Sequence, residues 1–143
     1  MRRNQSGIML LEALIAILIF SVGILGIVGM QASTIKASRD AKYRADASLL
    51  ANELVGQMSI SARDGATLQS RFQTGQADYA LWATRVAAAL PGALVNAPTV
   101  VVDPGLVGPP QTSSTVTVTV RWQAPNEVAA NIVHSYQVIV RII

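Results

Sequence analysis

The sequence predicts an α+β fold in which a long N-terminal helix, membrane-spanning in its first half and amphipathic in its second, packs on a small antiparallel sheet of about three strands. Three observations predict it. Residues Ile8 to Met30 form an apolar run in which Glu12 is the lone charge. A helical apolar stripe then continues without proline to about Ser61. Beyond Ala93 the pattern changes to period two, most cleanly in Thr115-Val116-Thr117-Val118-Thr119-Val120-Arg121-Trp122.

The apolar run comes first. At 1.5 Å per residue it spans roughly 30 Å, the thickness of a bilayer's hydrocarbon. A secretory signal fits it poorly, because the run is too long and Glu12 sits inside it. A cut after Ala32 would also place bulky Met30 at the −3 position. A plain single-pass anchor fits on length alone. A carboxylate within such a helix costs roughly 2.5–3.5 kcal/mol at mid-membrane and less near an end, so it is rarely left without a partner. Glu12 therefore either meets a cationic group of another chain or lies close enough to the interface to reach headgroups and water. Gly23, Gly26 and Gly29 recur every three residues. Each glycine costs about 1 kcal/mol against alanine in a soluble helix. Two readings stay open for them: a small face that lets helices approach closely, and a soft stretch able to bend or partly unwind. Charge leaves the orientation ambiguous, since Arg2 and Arg3 precede the run whereas Lys36, Arg39, Lys42 and Arg44 follow it.

The second half of the helix carries Tyr43, Ala47, Leu50, Ala51, Leu54, Val55 and Met58 on one stripe, with Asp40, Arg44, Ser48 and Asn52 on another side. A single helix from Ile8 to Ser61 would run roughly 80 Å. Arg63-Asp64-Gly65 ends it with turn chemistry. A short helix follows over residues 76–90, with Leu81, Trp82, Val86 and Leu90 as apolar positions and Leu90-Pro91-Gly92 as its stop. Trp82 reads as a core residue. Strands are expected at 99–103, 115–123 and 133–142, the last alternating through Tyr136, Val138, Val140 and Ile142. The segments Pro104–Ser114 and Ala124–Asn131 read as loops. A sheet apolar on one face must be covered, and the stripe of the long helix is its natural cover.

Composition narrows the function. The chain has 143 residues, a net charge of +3 and no cysteine, which excludes disulfides, thiol chemistry and cysteine-ligated metals. A soluble part of residues 32–143 supports only a modest core. Lys36, Arg39, Lys42 and Arg44 interleave with Asp40 and Asp46, a solvated or headgroup-facing surface and not a nucleic-acid interface. The single histidine, His134, stands at the start of a strand, and the acids are scattered. Gly105-Leu106-Val107-Gly108 lacks the Lys-Ser/Thr of a phosphate loop. The expectation is no enzyme: no catalytic residue, metal, cofactor, small-molecule substrate or nucleic-acid partner.

The N-terminus, MRRNQSG-IMLLEALIAILIFSVGILGIVGMQA, resembles the class III signal of type IV prepilins and pseudopilins. A short basic leader ends in Gly7, the apolar run starts at once with Ile8, and a lone Glu stands fifth in it. The resemblance implies a type IV pilin-like fold. It implies a leader of residues 1–7 cut between Gly7 and Ile8 by a prepilin peptidase, with N-methylation of Ile8. It makes residues 8–31 the transmembrane and filament-core helix and residues 32–143 a periplasmic head. In parallel, staggered helices, Glu12 of one subunit would meet the N-terminal amine of another. The family usually begins its mature chain with Phe, and many of its heads carry a C-terminal cysteine pair; this sequence has Ile8 and no cysteine. The tract SVGILGIVGMQ and the Trp82…Leu90-Pro91-Gly92-Ala93 block are similar to PilV-type minor pilins. That similarity implies a structural subunit that helps prime the filament or sits at its tip, with other minor pilins and the major pilin as partners. It places the chain in the inner membrane, N-terminus cytoplasmic, and then in the pilus. A minor pseudopilin of a type II secretion system is the second reading, and a solitary anchored binding module the third.

Overall fold

The period-two segment folds as the centre of a three-stranded antiparallel sheet. The computed structural model describes residues 6–61, 64–105, 113–127, 129 and 131–142. Within them lie α1 (Ser6–Ser61), α2 (Gly65–Phe72), α3 (Ala77–Ala89), β1 (Thr99–Asp103), β2 (Ser114–Trp122), a 3-10 turn (Pro125–Glu127) and β3 (His134–Ile142). The proposed leader before Ser6, Arg63 and residues 106–112 of the Pro104–Ser114 loop lie outside the described residues. The chain divides into two units, one running through Ala41 and the other Lys42–Ile143.

The second unit holds the core. β2 lies between β1 and β3, with Val118 opposite both Val100 and Val138. Val116, Val118 and Val120 are fully buried and the threonines between them are not. Branched side chains suit this pleated, one-sided surface. The stripe of α1 covers it as expected: Ala47, Ala51, Leu54 and Met58 are fully buried in one cluster with the β2 valines, and Tyr43, Leu50 and Val55 pack at its margin. Fully burying a side chain such as Leu54 is worth about 1.5–3 kcal/mol.

Trp82 ties α3 to that arrangement. Its ring is fully buried, and Nε1 donates to the Leu50 carbonyl oxygen of α1 at 2.9 Å. Arg85 of α3 pairs with Glu53 of α1 at 3.1 Å, an exposed contact that adds little. The face α3 buries is Tyr79, Trp82 and Val86, continued by its C-cap Leu90. Leu81 was expected in that face and is 69% exposed. At 100° per residue the i, i+3, i+7 set selects Tyr79, and Leu81 falls outside the stripe. Tyr79 donates its hydroxyl to the Pro98 carbonyl at 2.8 Å, and burial raises its pKa, opposed by Arg121.

Helix α2 replaces what reads in the sequence as a simple turn. Asp64 is its N-cap, accepting from the Thr67 N–H at 2.8 Å, and Leu68 and Phe72, four residues apart, enter the core. Gly65 is there for room: a Cβ would lie 2.5 Å from Pro104 Cβ and 2.6 Å from Pro104 Cα. Gly92 has a φ of +69° and presses on Gln123, whose N–H donates to the Pro91 carbonyl at 2.9 Å. The Leu-Pro-Gly stop is thereby stitched to the end of β2.

The first unit is the opposite case. Every residue from Gly7 to Arg39 is helical and exposed. This N-terminal helix is long and apolar enough to cross a membrane.

Two measurements check this description. Gly65→Ala forces a contact with backbone, so it lowers unfolding stability by about 1–3 kcal/mol in thermal melts. The Thr67 backbone N–H holds the Asp64 carboxyl below its ordinary value of 3.8. A depressed carboxylate stabilises above that value and loses its effect as the pH falls below it. The melting-temperature gap between wild type and Asp64→Ala therefore persists at neutral pH and closes in acid.

Candidate functional site

The residues that the sequence singles out lie together at the start of α1. Gly7, Ile8 and Glu12 occupy its first turns, and Gly23, Gly26 and Gly29 lie further along. Ile8 and Glu12 are four apart and so share a face. Ile8 is 71% exposed, and among the described residues Glu12 has no hydrogen-bond or ion-pair partner. The surface around it is Met9, Leu11, Leu14 and Ile15, all exposed. Among the described residues nothing covers this segment, and an exposed apolar surface of this extent marks a membrane or protein contact.

The glycines are informative through what is missing around them. A Cβ added at Gly7, Gly23, Gly26 or Gly29 would meet nothing within 4 Å. All four sit in unbroken helix. The fold therefore gives no steric reason for glycine at any of them, in contrast to Gly65 and Gly92. Gly56, in the second half of α1, is equally open. Two hydroxyls of the segment are satisfied within the helix: Ser21 donates to the Ile17 carbonyl at 2.7 Å and Thr34 to the Met30 carbonyl at 3.0 Å.

The second unit offers two polar clusters. Gln57, Ile60, Ser61, Arg71, Phe72, Asp78, Leu81 and Arg85 line an open groove of about 380 Å³. Its Arg71 pairs with Asp78 at 2.7 Å and lies over the Phe72 ring at 5.2 Å. Ile60 and Leu81 stand exposed in it. At the start of β3, His134 Nε2 meets the buried Glu127 Oε2 at 2.7 Å, and its ring stacks on Trp122 at 5.7 Å. These contacts satisfy His134. The Glu127 pairing was not foreseen, because the loop that returns Glu127 to the strand carries no periodic signal. The Ser61 hydroxyl of the groove donates to the Met58 carbonyl at 3.2 Å and Asp78 is engaged by Arg71, and among the described residues no group of three His, Cys, Asp or Glu is placed to hold a metal.

Compared with family models, curated proteins and solved structures, the chain matches none of them.

Replacing Gly23, Gly26 and Gly29 together by alanine tests the outward role of the tract. The variant should keep or raise its helicity in detergent by circular dichroism, with up to about 1 kcal/mol of helix propensity gained per site. Its head should unfold at the wild-type temperature. A loss of helicity would mean that the glycines serve the fold itself.

Proposed function

We propose that this protein is a minor subunit of a type IV pilus, a membrane-anchored structural protein that is not an enzyme. The observation that carries the reading is the arrangement at the start of α1. Gly7, in the first turn of α1, directly precedes the exposed apolar run, and a carboxylate with no partner among the described residues stands on the same helix about a turn after Ile8. Cleavage between Gly7 and Ile8 would create a cationic amine one helical turn from Glu12. In a bundle of parallel helices staggered along their axes, that amine of one subunit meets Glu12 of its neighbour. The attraction between the two charges offsets part of the cost of holding either one in an apolar surrounding. The glycine face lets the neighbour approach closely.

On this reading residues 8–31 lie in the inner membrane before assembly and in the filament core after it. The head, from residue 32, is periplasmic and then at the cell surface. The partners are the prepilin peptidase, other minor pilins and the major pilin. The PilV-like glycine tract and Leu-Pro-Gly block favour a place in filament priming or at the tip over a secretion pseudopilus.

N-terminal and intact-mass spectrometry of the protein from membranes with and without the peptidase is the direct test. The expected product begins at N-methylated Ile8 and appears only with the peptidase. A chain still starting at Met1, or cut near Ala32, removes the pilin reading. Glu12→Ala should be processed normally and enter filaments at least tenfold less, as expected for the loss of roughly 1.4 kcal/mol or more; undiminished incorporation counts against the amine pairing.

A further inference from the structure

The two ends of the sheet differ in charge and in what they expose. One end lies at the exit of α1: Gly65, four residues past Ser61, is packed against Pro104 and Ser114, where β1 finishes and β2 begins. The other end is built from two connections. The turn after α3 is stitched to the end of β2 by the Gln123 N–H on the Pro91 carbonyl, and Trp122 pairs with His134 at the start of β3. Three strands about 4.8 Å apart are only about 10 Å wide. The stripe of α1 that packs on the core, from Tyr43 to Met58, is about 22 Å long. The helix therefore runs along the strands, and its stretch near Tyr43 lies toward this second end.

That second end is almost free of charge. No Asp, Glu, Lys or Arg occurs in residues 86–102, and Glu127 is the single one in residues 122–133. Glu127 is buried against His134, and Arg121, one residue outside, donates to the Ala97 carbonyl at 3.1 Å. The tips of the end are apolar. Leu94 and Val95 are 83% and 86% exposed, and Ile132 and Val133 are exposed on the neighbouring connection. The turn under the first pair holds it outward. Ala93 is buried, Gly92 has its positive φ, and Asn96 donates to the Gly92 carbonyl from its backbone N–H at 2.9 Å and from Nδ2 at 3.1 Å. Ile60 and Leu81, by contrast, are exposed beside Arg71, Asp78 and Arg85.

We infer that this charge-free end of the second unit rests in the lipid interface of the membrane that holds the apolar run of α1, with Leu94, Val95, Ile132 and Val133 as the inserted side chains. The inference rests on the anchoring part of the proposed function and not on the pilus. A lipid surface is the occupant because the chain itself holds one within reach. About 18 Å of helix separates Met30, the last residue of the apolar run, from Lys42, where the unit begins. Spanning helices are tilted by about 20° on average, and a tilt toward this side lowers the tips. Apolar tips on a pinned turn lose little order on insertion and carry no charge to desolvate. Tethering makes the contact intramolecular, so an affinity too weak to recruit a free protein suffices.

The test uses the full chain in vesicles of phosphatidylcholine and phosphatidylglycerol, where the lack of cysteine lets single thiols carry an environment-sensitive fluorophore. Leu94→Cys and Ile132→Cys report the tips, Ile60→Cys reports the exposed exit of α1, and Ile24→Cys reports the apolar run. At Leu94 and Ile132 the fluorophore should emit at shorter wavelength than at Ile60, and phosphatidylcholine carrying a nitroxide high on its acyl chain should quench it. Adding Leu94→Asp/Val95→Asp should cut the quenching at Ile132 about twofold or more, with melting temperature unchanged. Quenching at Ile24 with none at Leu94 and Ile132 beyond that at Ile60 overturns the inference and leaves the anchor standing. Absence of quenching at Ile24 removes both. Short-wavelength emission at Leu94 that the nitroxide lipid leaves unquenched means that protein covers the tips, and overturns the inference as well.

Discussion

A three-stranded sheet with one apolar face has to be covered, and the rest of the second unit follows from how that is done. Val116, Val118 and Val120 present a narrow apolar strip, and without cysteine no disulfide can hold a cover over it. The cover is the stripe of α1, where Ala47 and Ala51 at its start keep the helix surface low and Leu54 and Met58 fill the space beyond. A helix held only by apolar contacts can slide along a strip of similar valines. The hydrogen bond from Trp82 to the Leu50 carbonyl removes that freedom, because it ties one indole to one turn of α1. Removing its acceptor would leave a buried donor unsatisfied, a loss of about 1–3 kcal/mol. Register is thus set by a polar contact inside an apolar core.

The first unit follows a different logic. Its side chains from Gly7 to Arg39 are all exposed, so its sequence is shaped by what surrounds the chain and not by the chain. This explains why glycines that satisfy no internal contact persist beside glycines that do. Gly65 and Gly92 are dictated by Pro104 and Gln123, whereas Gly23, Gly26 and Gly29 face open space. The same contrast separates the acids. Glu53 and Glu127 have partners in their own unit, and Glu12 has none among the described residues.

Much of this was legible in the sequence because it is local. The helix through Ser61, the period-two strands and the turn at Leu90-Pro91-Gly92 rest on spacing along the chain, and β1 falls at 99–103 as read. β2 lies one residue earlier at both ends than read, β3 starts one residue later, and residues 76 and 90 are caps of α3 rather than members of it. Helix α2 was missed because Arg63-Asp64-Gly65 carries the residues of a turn; the signal present was Asp64 as an N-cap ahead of Leu68 and Phe72. Leu81 is apolar, but its angle on the helix carries it to solvent.

What the sequence determined by itself is which residues are apolar at which period, and hence the element types, the one-sided sheet, the segment long and apolar enough to cross a membrane and the lone carboxylate within it. Tertiary structure alone decided which partners those elements found: Trp82 on the Leu50 carbonyl, Thr74 on the edge of β1, Glu127 on His134, and nothing described on the edge of β3. The physical reason is range. Periodicity is a property of neighbours three or four residues apart, whereas each of these partners is fixed by where a loop returns the chain, and loop sequence specifies turns without specifying what they bring together.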